Sequence, residues 1–171
     1  DWAYNRGETI RATTSFLMAD STTPDGDYIK PQTNPTNTDC WNGKAYTPLN
    51  QLTPGRTKYG TNNNVRIFRY ADVLLMNAEA KIKNGKSGDA PFNEVRRRAQ
   101  MPELTNVTFE QVIDERRMEL VCEWGERYND LVRTGLAKTE LKGWSEDKAL
   151  LPLPFNQYTQ IPDLLKEPKD E

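Results

Sequence analysis

The chain has 171 residues, enough for one domain with a sizeable core, yet only 36% are hydrophobic and mean hydropathy is -0.84. A formal net charge of -2 and a pI near 5.4 exclude a broad basic surface for nucleic acid or anionic lipid. No apolar run approaches the roughly 20 residues of a membrane-spanning helix, and the absence of histidine removes the commonest general base and metal ligand.

The chain opens without a secretory leader, which leaves a cytosolic protein or a mature or trimmed piece. Residues 1–64 read as a loop-rich region. RATTSFLMAD, Arg11 to Asp20, has the Thr and Phe content of a short strand. STTPDG, KPQTNPTNTDCWNGK and LTPGRTKYGTNNN then supply turn residues in quantity. An irregular stretch this long inside a compact domain is usually functional or held against something else. Within it, Tyr28, Trp41, Tyr46 and Tyr59 stand in Asn- and Thr-rich surroundings, after Trp2 and Tyr4 at the start. A sugar ring has an apolar C–H face, which a flat aromatic covers, and a hydroxyl edge, which Asn, Gln or Asp meets. Trp41-Asn42 offers both in adjacent residues, so Trp41, Asn42, Tyr46 and Tyr28 are the candidate ligand-binding residues. The alternative is that these aromatics pin the loop to the helices.

Residues 65–135 read as helical. Phe68, Ala71, Leu75, Ala78 and Ile82 mark one face of a first helix. Val73, Met76 and Ala80 widen its apolar surface, so packing on more than one side is expected. Asn84-Gly85 is a stop. A second helix starts at Asp89, with Pro91 in its first turn, a Phe92-Val95-Ala99 stripe and Pro102 beyond its end. Thr108 and Gln111 form a capping box, and Val107 and Val112 a hydrophobic staple, for a third helix. Ile113, Leu120 and Trp124 share a face of it. Gly125 interrupts the pattern, which resumes with Tyr128, Leu131 and Val132 and ends at Gly135. Residues 136–171 read as an extended closing segment, with LLPLP laid across apolar surface and KEPKDE as a tail.

The acids admit two readings. Asp72 and Glu79 are a candidate carboxylate pair, but Arg69 and Lys83 sit at ion-pairing distance along the helix, which favours structural pairs. Glu115 and Glu119 could serve a glycosidase, but they leave one helix in the same direction among arginines, where facing carboxylates are required. Structural pairing is the favoured reading for them too. Arg96, Arg97 and Arg98 fan around a helix and form no single patch. Asn106-Val107-Thr108 fits a glycosylation acceptor, but Thr108 is committed to the cap. Cys40 and Cys122 lack CxxC spacing, which excludes the usual structural zinc site. A Cys40–Cys122 disulfide stays open against two thiols, with Cys122 read as an ordinary buried cysteine.

RYADVLLMNAEAKIKNG, APFNEVRRRAQMP, VIDERRMELVCEWGERYNDLVRTG and ALLPLP, in this order from Arg69 to Pro154, resemble the C-terminal signature of the SusD/RagB family. The resemblance implies a mainly α fold with tetratricopeptide-like helical hairpins, long irregular loops and little strand. It implies a non-catalytic surface lipoprotein of the outer membrane that captures glycans, or in some members peptides, over a TonB-dependent, SusC-like transporter. No cofactor is implied. The family's chains are far longer and begin with a lipid-bearing cysteine, which Cys40 is not, and their usual ending is replaced here by LLKEPKDE. The chain is therefore expected to be a C-terminal portion, lipid-anchored through a segment not present and partnered by the N-terminal remainder of the fold. One hairpin of about 34 residues cannot cover both its faces, so the helices are expected to pack against something this sequence does not contain or against the long N-terminal loop. Arg69, Asp72, Glu79, Glu115, Arg116, Arg127 and Asp130 are read as structural polar anchors. The competing reading is a helical-repeat docking module without a small ligand.

Overall fold

The computed structural model describes residues 2–31, 39–54, 61, 64–150 and 154–160; within the last stretch, the side chains of residues 155, 158 and 159 are not described. Tyr59, most of LLPLP and the KEPKDE tail lie outside these residues. The chain forms two compact units, Asp1–Asn129 and Asp130–Glu171.

In the first unit, α1 (Trp2–Asn5) and α2 (Ile10–Ser15) precede β1 (Phe16–Met18), β2 (Ser21–Thr22), β3 (Tyr28–Ile29) and β4 (Cys40–Asn42). Helices α3 (Tyr70–Lys83), α4 (Asp89–Arg98) and α5 (Phe109–Glu119) follow, and α6 (Glu126–Arg133) runs into the second unit. The second unit continues with α7 (Ala137–Glu140) and α8 (Phe155–Gln160). This is the mainly α architecture with little strand that the sequence predicts. The start of RATTSFLMAD departs from it. Thr13 and Thr14 are helical, with their hydroxyls donating back to the Thr9 and Ile10 carbonyls, and only Phe16–Met18 is strand.

Helices α3, α4 and α5 bury Ala71, Leu75, Ala78, Phe92, Val95, Val107 and Val112, with Leu74, Ile82 and Leu104 packed at the margin. Complete burial of a side chain such as Leu75 stabilises the fold by roughly 1.5–3 kcal/mol. The predicted boundaries have physical causes. Gly85 takes φ 67° at the end of α3. Thr108 accepts from Gln111 N while Gln111 Oε1 accepts from Thr108 N at 2.9 Å, closing the capping box. The α4–α5 link is clamped by side chains: Asn93 exchanges two hydrogen bonds with the Leu104 backbone at 2.8 and 2.9 Å. Asp89 accepts from the Asn106 and Val107 amides, which holds its carboxyl below the usual range.

Four apolar assignments differ in the structure. Phe68 lies outside the α3 core stripe and is 75% exposed, because α3 begins only at Tyr70. Val73 and Met76 are exposed as well, so α3 packs on one side rather than several. Helix α5 ends at Glu119, which removes Trp124 from its face and leaves it 64% exposed. Cys122, with φ 63° in the same connection, is exposed rather than buried, and no disulfide joins it to Cys40.

The loop-rich N-terminal region is tied to α5 by both kinds of contact. Ala3, Ala12 and Met118 form a second apolar cluster, flanked by Trp2, Phe16 and Val121. Trp2 is covered by two guanidinium groups, Arg117 at 4.0 Å and Arg6 at 4.8 Å from the ring centroid. Beneath them, Arg11 donates to Glu8 and Glu119 and lies 2.7 Å from Glu115 Oε1. In the second unit, Asp130 and Leu131 are buried, and Arg133 pairs with Asp130 at 2.7 Å.

Candidate functional site

The acids resolve into structural pairs. Glu115 accepts from Arg96 at 2.8 Å and Arg6 at 3.1 Å. Glu119 accepts from Arg69, Arg98 and Arg11. Burial would raise the Glu119 pKa, but the Arg69 bond, the charges of Arg98 and Arg69 and the Arg11 bond together hold it below its ordinary value. Glu79 pairs with Lys83 at 3.1 Å as expected. The expected Arg69–Asp72 pair does not form. Asp72 pairs with Arg116 at 2.6 Å, while Arg69, at the entrance to α3, turns to Glu119 and Glu123. Arg96, Arg97 and Arg98 reach three separate acids, Glu115, Glu103 and Glu119, as their fanned arrangement predicts.

The candidate ligand residues stand on the small antiparallel pairs. Strand β1 pairs with β4 in the register Phe16↔Asn42, Leu17↔Trp41, Met18↔Cys40. Strand β2 pairs with β3 as Ser21↔Ile29, Thr22↔Tyr28. Trp41 therefore stands opposite the buried Leu17, which gives the indole a packed flank. Asn42 ends β4 and caps the 3-10 turn Gly43–Ala45: its Oδ1 accepts from the Lys44 and Ala45 amides. Its Nδ2 donates to the Cys122 carbonyl at 2.8 Å. Both ends of the amide are thus used within the fold. Gly43 packs so closely on α2 that a Cβ there would lie 2.0 Å from the Thr14 carbonyl oxygen. Lys44 runs inward to the Glu119 carbonyl and to Glu123 Oε1 at 2.7 Å. Burial pulls the ammonium pKa down, against the pull of Glu123.

The tyrosines are held by their hydroxyls. Tyr46 donates to Asp27 and shares a 3.2 Å hydrogen bond with Thr23. Asp27 also accepts from the Leu49 amide, and the Tyr46 and Leu49 bonds together hold its carboxyl below the usual range. Tyr28 donates to Asp20 at 2.6 Å, which holds the phenol above its ordinary value. These bonds orient the rings without covering them: Tyr28 is 54% exposed, and Trp41 and Tyr46 are half-buried.

Tyr28, Trp41, Asn42 and Tyr46 all line one open depression of about 550 Å³, whose other walls are Leu17, Ile29, Lys30 and Ala45. The structure thus brings the four candidates together. Each tyrosine is pinned at its hydroxyl and still presents a ring. Lys30, an exposed cation at the margin, was not singled out from sequence, where a lone loop lysine carries no signal.

Comparison with known proteins places this geometry in a lineage. A sequence profile described as the SusD family matches residues 2–163. SusD-like protein P38 of Formosa agariphila is 33% identical over 119 residues, 59% of this chain and 24% of that protein. Starch-binding protein SusD of Bacteroides thetaiotaomicron is 36% identical over 81 residues, 47% of this chain and 14% of that protein. The chain thus spans a quarter or less of these relatives' length. Among solved structures, surface glycan-binding protein A from Bacteroides thetaiotaomicron in complex with laminarihexaose matches with a TM-score of 0.73 and 28% identity, over 94% of this chain and 38% of that one. The profile match over nearly the whole chain, with this structural likeness, shows that the chain belongs to the SusD family.

Proposed function

We propose that this chain supplies glycan-contacting surface to a non-catalytic nutrient-binding protein at the bacterial cell surface, working at the outer membrane with a TonB-dependent, SusC-like transporter. The observation that carries the reading is the convergence of Tyr28, Trp41 and Tyr46 on one open depression, with both phenol hydroxyls tied to aspartates. Rings fixed at their edges and open on a face suit stacking against the C–H face of a sugar. Asn42 is a positioning residue in this reading: its amide holds Trp41 and Tyr46 in place through the 3-10 turn and the Cys122 carbonyl. Lys30 supplies a donor for sugar hydroxyls at the margin.

Family membership supports the reading, as does the glycan named for the solved relative. The non-catalytic part is supported by Glu115 and Glu119, both enclosed by guanidinium groups and so poorly placed to transfer protons to a glycosidic oxygen. The test is calorimetric titration of the chain with laminari- and malto-oligosaccharides. Trp41→Ala is expected to weaken binding by about tenfold, the loss of one good stacking contact. Binding unchanged by Trp41→Ala refutes this depression as the site.

A further inference from the structure

On the far side of the Asn42–Tyr46 ridge lies a second depression, of about 560 Å³. It shares Asn42, Ala45 and Tyr46 with the first, so the two are contiguous across a single turn of chain. Its opposite wall is Trp124, in the connection between α5 and α6. Trp124 is 64% exposed although large, and its indole N–H is not free to turn: Nε1 donates to the Arg66 carbonyl at 2.5 Å. The ring is therefore fixed at its edge and open on a face, as Tyr28 is in the first depression. Gly125, at φ 81°, lets the chain turn directly after it. Val65 adds an exposed apolar flank, and Thr47, Thr61 and Asn64 add polar groups around the ring.

Two of the charges at this depression are paired within the protein, and the exposed Arg66 adds a further cation to its lining. Lys44 and Glu123 lie 2.7 Å apart, and Arg69 donates twice to Glu123 at 2.8 Å. A cationic ligand is disfavoured, because Glu123 is already held by Lys44 and Arg69 and the remaining lining charge, Arg66, is positive. An aromatic platform and small polar side chains match the requirements of a sugar, with the Arg66 guanidinium a further donor to its hydroxyls.

We infer that this second depression is a sugar subsite with Trp124 as its platform, so that one linear glycan crosses the Asn42–Tyr46 ridge and stacks on both sides of it. The inference rests on the glycan-binding reading above and adds a length requirement to it. A disaccharide fills one depression, whereas a longer chain gains contacts in both, with the second contact made intramolecular by the first.

The primary test uses the unsubstituted protein. Its indole N–H resonances are followed by NMR during titration with laminari- and malto-oligosaccharides, from disaccharide to hexasaccharide. The Trp124 resonance is expected to shift with the hexasaccharide of the binding series and to stay in place with its disaccharide. A hexasaccharide that binds without moving it overturns the inference. In parallel, Trp124→Ala is expected to lower hexasaccharide affinity by about tenfold and to leave disaccharide affinity unchanged. If Trp41→Ala weakens binding and Trp124→Ala does not, the inference fails and the first depression stands. If neither series binds at all, both readings fail together.

Discussion

Arg11 on α2 and Glu119 on α5 meet at 3.1 Å although 108 positions separate them. The same guanidinium donates to Glu8 and lies 2.7 Å from Glu115. Arg11 thus joins the N-terminal segment to the helical core through three buried carboxylates. Removing it leaves Glu115 and Glu119 with other arginines but leaves buried Glu8 with Arg6 only at 3.8 Å, and a buried charge that loses its partner costs about 3–5 kcal/mol. Arg11→Met should lower the free energy of urea unfolding by that amount. Arg97→Ala, which loses only the exposed pair with Glu103, should cost about 0–1 kcal/mol. Equal, small losses in the two variants would contradict a buried anchor.

The same network sets the acid limit of the fold. Burial works to raise the pKa of both Glu119 and Glu123, but Arg69 with Arg98 and Arg11, and Arg69 with Lys44, hold the two carboxyls below their ordinary value of 4.5. Depressed carboxylates stabilise the folded state fully above that ordinary value, and the contribution is lost as pH falls through the lower folded values. Urea midpoints should therefore be nearly flat from about pH 7 to about pH 5 and should fall steeply below about pH 4.5. A midpoint that holds constant down to about pH 3 would contradict this sign.

Gly43 couples the candidate site to the scaffold. A Cβ at this position would stand 2.0 Å from the Thr14 carbonyl oxygen, with Leu17 Cγ at 3.2 Å. Gly43→Ala must push the 3-10 turn away from α2, at a cost of about 1–3 kcal/mol for overpacking. Because Asn42 and Tyr46 flank that turn, the displacement should also move the Trp41 and Tyr46 rings. The variant is expected to lose stability and, on the proposed reading, affinity for whichever hexasaccharide the parent binds, read by urea unfolding and calorimetry. A Gly43→Ala protein of parental stability would contradict the close approach.

Thr108→Ala removes one half of the capping box at the start of α5 and should cost about 1 kcal/mol. The site lies far from Trp41 in sequence and shares no hydrogen bond with it, so glycan affinity should stay at the parental value. Thermal unfolding and titration on the same protein check both halves, and lost affinity with retained fold would contradict the separation.

Local signals survived the passage from sequence to structure, and long-range ones did not. The caps at Thr108 and Gly85 and the stripes Leu75–Ala78 and Phe92–Val95 were legible, because each is fixed by residues within one or two helical turns. Helix α2 is not legible in sequence because the β-branched Thr13 and Thr14 favour strand locally, whereas Arg11 and Ala12 of the same helix are fixed by contacts to α5 about 100 positions away. Arg69 was assigned to Asp72 by proximity in sequence, but its partners Glu119 and Glu123 lie 50 and 54 positions away. Trp124 was placed on α5 by spacing alone, and the end of that helix at Glu119 turned it outward. The four candidate residues are legible as a composition of aromatics and Asn in a loop. That they line one depression follows from the β1–β4 and β2–β3 registers, which two- and three-residue strands do not announce in sequence.

The most direct test of glycan recognition by this chain is calorimetric titration with laminarihexaose and maltohexaose, alongside the Trp41→Ala protein and with the sugar recovered and analysed afterwards. The result expected is saturable binding of at least one hexasaccharide, weakened about tenfold by Trp41→Ala, with the sugar recovered intact. A folded chain that binds neither sugar, or that returns them cleaved, would contradict it.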